Sequence, residues 1–249
     1  MHWLKACWIA FQFLTRIPVP APETATDEDY SKSLIFYPLV GLVIGLILVL
    51  LQLPFFSAAA GMQAAILLTV WVLITGALHL DGLGDSADGW LGGQGDRART
   101  LEIMKDTHNG VAAVVLIILV LLLKFAALSQ LLASTPGWTA LIAAPVLARA
   151  AVVALMLTTE YVREAGIGTA LVSQIPSKAA WLSIAISVAL SALFLGLWAP
   201  LVLVLTAVIA VAIRMLMVKR IGGTTGDTAG AMIEIIEATV LVGAALAVS

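Results

Sequence analysis

Between Lys32 and Asp81 the chain carries no Asp, Glu, Lys or Arg. A helix that crosses a membrane needs about 20 consecutive apolar residues, so this run is long enough for two. Leu53-Pro54 marks the break and predicts spans near Leu34–Leu53 and Ser57–Leu78. A second apolar block, Val111 to Thr159, divides at Ser134-Thr135-Pro136-Gly137 into Val111–Ala133 and Trp138–Thr159. A third, Ala179 to Val218, is split by Gly196-Leu197-Trp198-Ala199-Pro200, and a last span runs from Ala229 to Val248. Continuous runs of this length favour helices, whereas a membrane β-barrel shows short alternating segments.

The expected fold is an all-α integral membrane protein, with about seven transmembrane helices in one bundle and residues 1–249 as a single polytopic membrane domain. Composition agrees. Of 249 residues, 61% are hydrophobic and 11% charged, against roughly 25% charged in a soluble domain. A chain of this length has too little interior to hide the excess, which excludes a soluble enzyme and a disordered tail. The single Cys7 excludes an internal disulfide and a thiolate zinc site. A net charge of -2 gives no footing for nucleic acid.

The connections alternate in character. Those near Pro54–Phe56, Ser134–Gly137 and Gly196–Pro200 contain no Lys or Arg, while the others carry Lys5, Arg16, Lys32, Arg97, Arg99, Lys105, Arg163, Lys178, Lys219 and Arg220. The positive-inside rule then puts the N-terminus and the long loops in the cytoplasm. Met1–Phe13 is too short and too polar for a span. Trp3, Leu4, Trp8, Phe11 and Phe13 suit an N-terminal interfacial helix, ended by Pro18 and Pro20. No small-residue cleavage pattern follows it, so a cleaved signal peptide is not expected.

Three constellations carry chemistry. In His79-Leu80-Asp81-Gly82-Leu83-Gly84-Asp85-Ser86-Ala87-Asp88-Gly89, the aspartates have i, i+4, i+7 spacing, which puts them on one face of a helix. Crowded carboxylates repel unless a cation sits among them, and such oxygen ligands suit Mg²⁺ with substrate phosphates. Gly82, Gly84 and Gly89 are expected to let a bulky ligand approach the backbone.

The second constellation is Gly222-Gly223-Thr224-Thr225-Gly226-Asp227-Thr228-Ala229-Gly230, running into Glu234 and Glu237. A glycine- and threonine-rich turn at a helix N-terminus can hold phosphate through its N–H groups, with Thr224, Thr225 and Gly226 as the expected contacts. Asp227, Glu234 and Glu237 share one helix face. Carboxylates inside a span are costly and read as functional, or as partners for Lys124, Arg149 or Arg214. Lys124 and Arg149 lie at nearly the same depth on a hairpin. Glu237, the deepest carboxylate, is therefore expected to pair with one of them, and Glu234 to belong to the active site.

The third constellation is Arg97, Arg99, Glu102, Lys105, Asp106, Thr107 and His108. Lys105 and His108 could bind phosphate; His79, Asp106 or an acidic ligand could serve as general base. Arg163, Glu164 and the Gly166-Ile167-Gly168 turn form a weaker polar patch. Together these groups predict Mg²⁺-dependent handling of a phosphorylated, membrane-associated or amphipathic substrate, since phosphoryl transfer needs mainly positioning and charge neutralisation. A transporter would place its site near the midplane, often with repeated broken helices, and no repeat is visible. Another Mg²⁺-dependent membrane phosphotransferase or a prenyltransferase-like enzyme satisfies the same chemistry. A CDP-alcohol phosphotransferase does not, because Gly84-Asp85 stands where its Ala-Arg would be.

Phe13-Leu14-Thr15-Arg16-Ile17-Pro18, Phe36-Tyr37-Pro38-Leu39-Val40-Gly41, the His79–Gly89 run, Leu101-Glu102-Ile103-Met104-Lys105-Asp106, and Gly222–Gly230 with Glu234 resemble, in order and over the whole chain, the cobalamin synthase family. The resemblance implies an adenosylcobinamide-GDP ribazoletransferase, which joins adenosylcobinamide-GDP to α-ribazole or its 5′-phosphate and releases GMP. It further implies Mg²⁺ dependence and a multi-pass protein of the bacterial inner membrane, in contact with the lipid bilayer and with its active site facing the cytoplasm. On this reading Asp81, Asp85, Asp88 and Asp227 hold metal. His79, Asp106 and Glu234 are catalytic candidates, and Lys105, His108, Thr224, Thr225 and Gly226 contact substrate. Thr107 and His108 depart from the family's small residue and Arg, which leaves His108 in the Arg's place. The corrin is expected in a broad groove facing the cytoplasm, and a homo-oligomer stays open.

Overall fold

The structure, a computed structural model, describes residues 2–20, 22, 24–55, 57–106, 108–134, 137–163 and 166–248. Thr107 and Glu164, named above, lie outside these residues, as do two positions of the turn at Ser134–Gly137. In chain order the helices are α1 (His2–Leu14), α2 (Asp27–Ser33), α3 (Tyr37–Gln52), α4 (Ala60–Thr75), α5 (Leu78–Gly92) and α6 (Arg97–Ile103). Then come α7 (Val111–Leu132), α8 (Thr139–Thr158), α9 (Ile167–Val172), α10 (Ser177–Leu195), α11 (Ala199–Ile221) and α12 (Gly226–Ala247). The fold is all-α; among the described residues the one extended contact outside helices is an isolated parallel bridge between Tyr161 and Thr224.

Among the described residues five helical stretches are long and apolar enough to cross a membrane, and six if the bent pair α4–α5 counts as one. The longest, Ser177–Ile221, has 45 residues, about 68 Å of helix against an apolar layer of about 30 Å. It does not run straight. Gly196 has φ +58°, a left-handed turn suited to glycine, and the chain folds back there. Ser183 of α10 donates to the Ile35 carbonyl just before α3, and Arg214 of α11 donates to the Thr158 carbonyl at the end of α8. Because α3 and α8 run antiparallel, both contacts lie at the same end of the bundle. The stretch thus makes two crossings, and with the α4–α5 pair counted the total among the described residues is seven, as the hydropathy pattern predicts.

The bundle is built around α8 and α12, both mostly buried, while α7, α10 and α11 show broad apolar faces to the outside. On α7 the exposed residues Val111, Val114, Val115, Ile118, Leu119 and Leu122 recur every three or four positions, the stripe expected of a helix against lipid. α3 lies close on α8 because Gly41 and Gly45 present no side chain. A Cβ on Gly41 would fall 2.3 Å from the Pro145 carbonyl oxygen, and one on Gly45 2.7 Å from Ile142 Cα. Small residues four apart are a common way for membrane helices to approach.

α4 is bent 85° from α5. Gly76 and Ala77 both take left-handed backbone, with φ +62° and +59°. In alanine that conformation costs roughly 1–2 kcal/mol. α5 therefore lies across the end of the bundle that carries the charged loops instead of continuing the span. α1 differs from expectation in one respect. Phe11 and Leu14 pack into the core and Phe13 against it, while Trp3 and Leu4 stay exposed. The helix is fixed to the bundle along one face, so Phe11 and Phe13 are not lipid contacts.

Candidate functional site

The site forms where α5 crosses the first turns of α12. Gly82 makes the crossing close: a Cβ there would stand 2.7 Å from the Asp227 carbonyl oxygen. Gly230 faces it from α12, with His79 Cα 3.3 Å from where its own Cβ would be. The other two glycines of the motif are also filled by protein, Gly84 by Ala113 and Ile117 and Gly89 by Met104. The expectation that these glycines admit a ligand to the backbone is corrected. They admit neighbouring helices, and their close packing holds a glycine-rich, acidic segment helical against its low propensity.

Asp81, Asp85 and Asp88 lie on α5 as the spacing requires. Asp81 is exposed and Asp85 half-buried, and among the described residues neither forms an ion pair. Burial, followed by the charges of Asp81 and Asp227, pushes the Asp85 carboxyl up to about 6, with Arg163 opposing. Asp88 is engaged differently. Its two oxygens accept from Gly110 N at 2.6 Å and Ala113 N at 3.0 Å, capping the N-terminus of α7. Asp227 accepts from Arg163 Nη2 at 2.5 Å, and the same nitrogen donates to the Met104 carbonyl at 3.2 Å. Arg163 so ties the loop after α6 to the start of α12.

The glycine-threonine turn is not the phosphate cradle its composition suggests. Thr224 and Thr225 are 0% exposed. Thr225 Oγ1 accepts from Thr228 N at 3.2 Å and Thr228 Oγ1 from Thr225 N at 2.8 Å, a reciprocal cap for α12. Thr224 N donates to the Glu160 carbonyl and Val162 N to the Thr224 carbonyl. The two threonines are corrected from substrate contacts to structural residues, Thr225 as the helix cap and Thr224 through its hydroxyl's contact with Thr228 Oγ1 at 2.9 Å, because their polar atoms are used inside the turn. Gly226 is exposed and keeps its place at the open N-terminus of α12.

A cavity of about 180 Å³ opens beside this crossing. Asp81, Gly226 and Asp227 line one side, and Phe13, Tyr37, Val152, Met156, Tyr161 and Ile233 supply much of the remainder. His79 also lines it, 3% exposed, with both ring nitrogens lacking a hydrogen-bond partner. Lys105, Asp106 and His108 are exposed in the segment between α6 and α7 and are not among the residues that line the cavity. Asp106 Oδ1 accepts from His108 N at 3.0 Å and meets the ring Nδ1 at 2.7 Å, and these bonds hold its pKa below the ordinary carboxylate value.

Deeper along α12 sits a buried quartet. Lys124 Nζ donates to Glu234 Oε2 at 2.5 Å and to Glu237 Oε2 at 2.6 Å, and Arg149 Nη1 donates to Glu237 Oε1. Exposures are 2% for Lys124, 0% for Arg149, 4% for Glu234 and 1% for Glu237. Glu237 pairs as expected. The placing of Glu234 among the active-site groups is corrected: it shares Lys124 with Glu237, since two cations at one depth are neutralised only by two carboxylates. The sequence missed Tyr37 and Tyr161 and underrated Arg163. Tyr37 sits in a run of apolar residues; its signals were a hydroxyl inside a predicted span and its place in the Phe36–Gly41 motif.

The donor set at the crossing is carboxylate oxygen, which suits a hard divalent cation. Among the described residues no three acidic or histidine side chains already converge on a metal-binding point. An ion held by Asp81, Asp85 and Asp227 would therefore complete its shell from a ligand's oxygens, as Mg²⁺ commonly does with phosphate.

Fold and site together define an all-α, multi-span membrane protein with an acidic, oxygen-donor site across one end of the bundle. The chain belongs to the cobalamin-5-phosphate synthase family, whose model matches residues 6–245. It is 52% identical over 239 residues to the adenosylcobinamide-GDP ribazoletransferase of Pseudomonas fluorescens (strain Pf0-1), covering 96% of this chain and 98% of that one. The proteins of that name from Pseudomonas entomophila (strain L48) and Stutzerimonas stutzeri (strain A1501) are each 51% identical, over 97% and 96% of this chain and 98% and 97% of theirs. No solved structure matches the chain.

Proposed function

We propose that this protein transfers the cobinamide-phosphate moiety of adenosylcobinamide-GDP to the 5′-hydroxyl of α-ribazole or its 5′-phosphate, releasing GMP. That is the last assembly step of the cobalamin nucleotide loop. The observation that carries this reading is the near full-length identity to ribazoletransferases, 52% over 96% of the chain.

In this reading the hydroxyl oxygen attacks the phosphorus bearing the cobinamide ester. The new P–O bond forms as the diphosphate bridge breaks, GMP leaves with the bridging oxygen, and the hydroxyl proton passes to a base. An acidic ligand such as Asp81, which lines the cavity and forms no ion pair among the described residues, could take the proton on the oxygen that does not hold metal, whereas His108 already occupies Asp106. Asp81, Asp85 and Asp227 would hold Mg²⁺, with Asp88 fixing α5 to α7 beside them. Bound there, Mg²⁺ supplies positive charge to the diphosphate and the departing GMP. Arg163 orients Asp227 and offers a second cation to the phosphates. Lys105 and His108 contribute from the exposed segment after α6, and the corrin stays outside the cavity.

The test is GMP release by purified protein in nanodiscs given both substrates, with Mg²⁺ or with a chelator. Absence of GMP and of adenosylcobalamin with Mg²⁺ present would overturn the assignment. The positive charge of the loops at that end supports a site that faces the cytoplasm, and the bacterial inner membrane is the setting proposed for it. In a variant lacking Cys7, a cysteine at the exposed Leu197 should react with an impermeant reagent from the periplasm, and one at Arg99 should not.

A further inference from the structure

The cavity beside Asp81 and Asp227 is small and mostly apolar, which limits what can enter. A cavity of about 150 Å³ lined by aliphatic and aromatic groups takes up benzene. At about 180 Å³ this one admits a single compact ring system and excludes a corrin. Part of the wall is aromatic: Phe13 and Tyr37 both line it, their rings stacked 23° from parallel with centroids 6.3 Å apart. Val152, Met156 and Ile233 supply aliphatic surface.

Two polar groups within this lining are unsatisfied. Tyr37 is 2% exposed, and among the described residues its hydroxyl makes no well-aligned hydrogen bond; the nearest side-chain hydroxyl is that of Ser33, which itself donates to the Tyr30 carbonyl at 2.6 Å. Both nitrogens of His79 are likewise buried and unpartnered. A buried polar group left unsatisfied is costly, and most native ones find partners. Here the tyrosine offers a donor, and a neutral imidazole offers one donor and one acceptor. A purely apolar guest, such as a lipid chain, would leave all of them bare.

We infer that this cavity is the subsite for the base of the acceptor nucleoside: a flat, largely apolar heteroaromatic ring carrying an unsubstituted acceptor nitrogen, with its sugar at the mouth. The inference rests on the proposed transfer reaction and says which substrate enters the bundle. The ring lies against the Phe13–Tyr37 wall, the Tyr37 hydroxyl donates to the ring nitrogen, and His79 takes a sugar hydroxyl. This arrangement carries the ribose 5′-oxygen toward Asp81 and Asp227, which line the same cavity. The donor nucleotide and the corrin remain in the open, polar part of the site. Discrimination among bases then resides in α1, α3, α8 and α12, not in the acidic motif.

The experiment measures equilibrium binding of α-ribazole alone to the full chain in nanodiscs, and steady-state KM for both substrates. Tyr37→Phe keeps the ring wall and removes the donor; Val152→Phe fills the cavity. The expected result is α-ribazole affinity weaker by about tenfold in Tyr37→Phe, the scale of one lost hydrogen bond, and by more in Val152→Phe. The KM for adenosylcobinamide-GDP should stay within twofold. Should Val152→Phe fail to fold, Tyr37→Phe decides. Unchanged α-ribazole affinity in the folded variants, with wild-type turnover intact, overturns the subsite and leaves the reaction standing. An equal rise in both KM values also overturns it. Wild-type protein that neither binds α-ribazole nor releases GMP overturns the reaction and the subsite together.

Discussion

Lys124 Nζ lies 2.6 Å from Glu237 Oε2 with both side chains almost wholly buried. The contact joins α7 to α12 in the middle of the bundle, and Glu237 spans from there to Arg149 on α8. With Glu234 the group sums to zero charge, and the Trp71 ring stands 5.1 Å from Lys124 Nζ. Neutrality explains why ionised groups persist at this depth. Each would be expensive alone, by about 2.5–3.5 kcal/mol even on the lenient insertion scale.

Glu237→Gln should lower stability by about 3–5 kcal/mol, the usual cost of stripping one partner from a buried ion pair. Glu234→Gln should cost less, because Lys124 keeps Glu237. Adding Lys124→Met to Glu234→Gln restores neutrality and should recover part of the loss. Thermal unfolding in detergent checks this series. A Glu234→Gln protein of wild-type stability but little turnover would return that residue to the active site.

The three aspartates of α5 should separate by role. Asp85→Asn and Asp81→Asn remove uncompensated charge and should each lower kcat by at least about a hundredfold, in keeping with electrostatic groups of this kind. Asp88→Ala should cost about 1 kcal/mol of stability through the lost cap on α7, with Asp88→Asn retaining much of it. Unfolding curves measured beside GMP release distinguish the two classes. A drop in stability for Asp85→Asn as large as for Asp88→Ala would refute the separation.

Hydropathy gave seven spans and their turns because lipid imposes a length and an apolar run that few sequences meet by accident. The face of each helix was less legible. α8 and α12 are buried nearly all round and α11 mostly exposed, yet their compositions are alike, since lipid and protein interior are both apolar. The three aspartates were legible as a group because i, i+4, i+7 spacing is one-dimensional. That Asp88 caps α7 depends on Gly110 and Ala113, far along the chain. The threonines illustrate the opposite error: a glycine-threonine turn reads the same whether it holds phosphate or closes its own helix cap. Glu234 was misassigned for want of one fact, that a single lysine can serve two carboxylates three residues apart.

Acidity should control metal affinity at Asp85. In the folded protein its carboxyl holds a proton up to about 6, whereas the ordinary value is 3.8. Folding thus favours the protonated form between those limits. The metal-free protein should lose stability as pH rises from about 4 to 6 and change no further above that through this group. A divalent cation needs the ionised form, so the rise in melting temperature caused by Mg²⁺ should be small at pH 5 and reach its plateau above pH 7. Asp85→Asn should remove most of that pH dependence. Thermal shift measured across pH with and without Mg²⁺ is the check, and an Mg²⁺ shift equal at pH 5 and pH 7.5 would contradict it.

Gly82 sets the distance between the two halves of the acidic site, and its replacement should be felt there first. A Cβ at this position would stand 2.7 Å from the Asp227 carbonyl oxygen and 2.9 Å from its Cα. Both are backbone atoms and cannot swing aside as a side-chain tip would. Gly82→Ala must therefore move α5 away from the start of α12. Overpacking of this kind costs about 1–3 kcal/mol, which the bundle can survive. The displacement falls between Asp81 and Asp85 on one helix and Asp227 on the other, and misplacement by about 1 Å can cost a hundredfold in rate. Turnover should thus fall by about a hundredfold while the protein still folds, and the Mg²⁺-induced thermal shift should shrink with it. Gly92→Ala, on the same helix but facing the tip of the Ile103 side chain, is the control and should keep most activity. If both variants lose activity equally, the loss belongs to α5 as a whole and not to its crossing with α12.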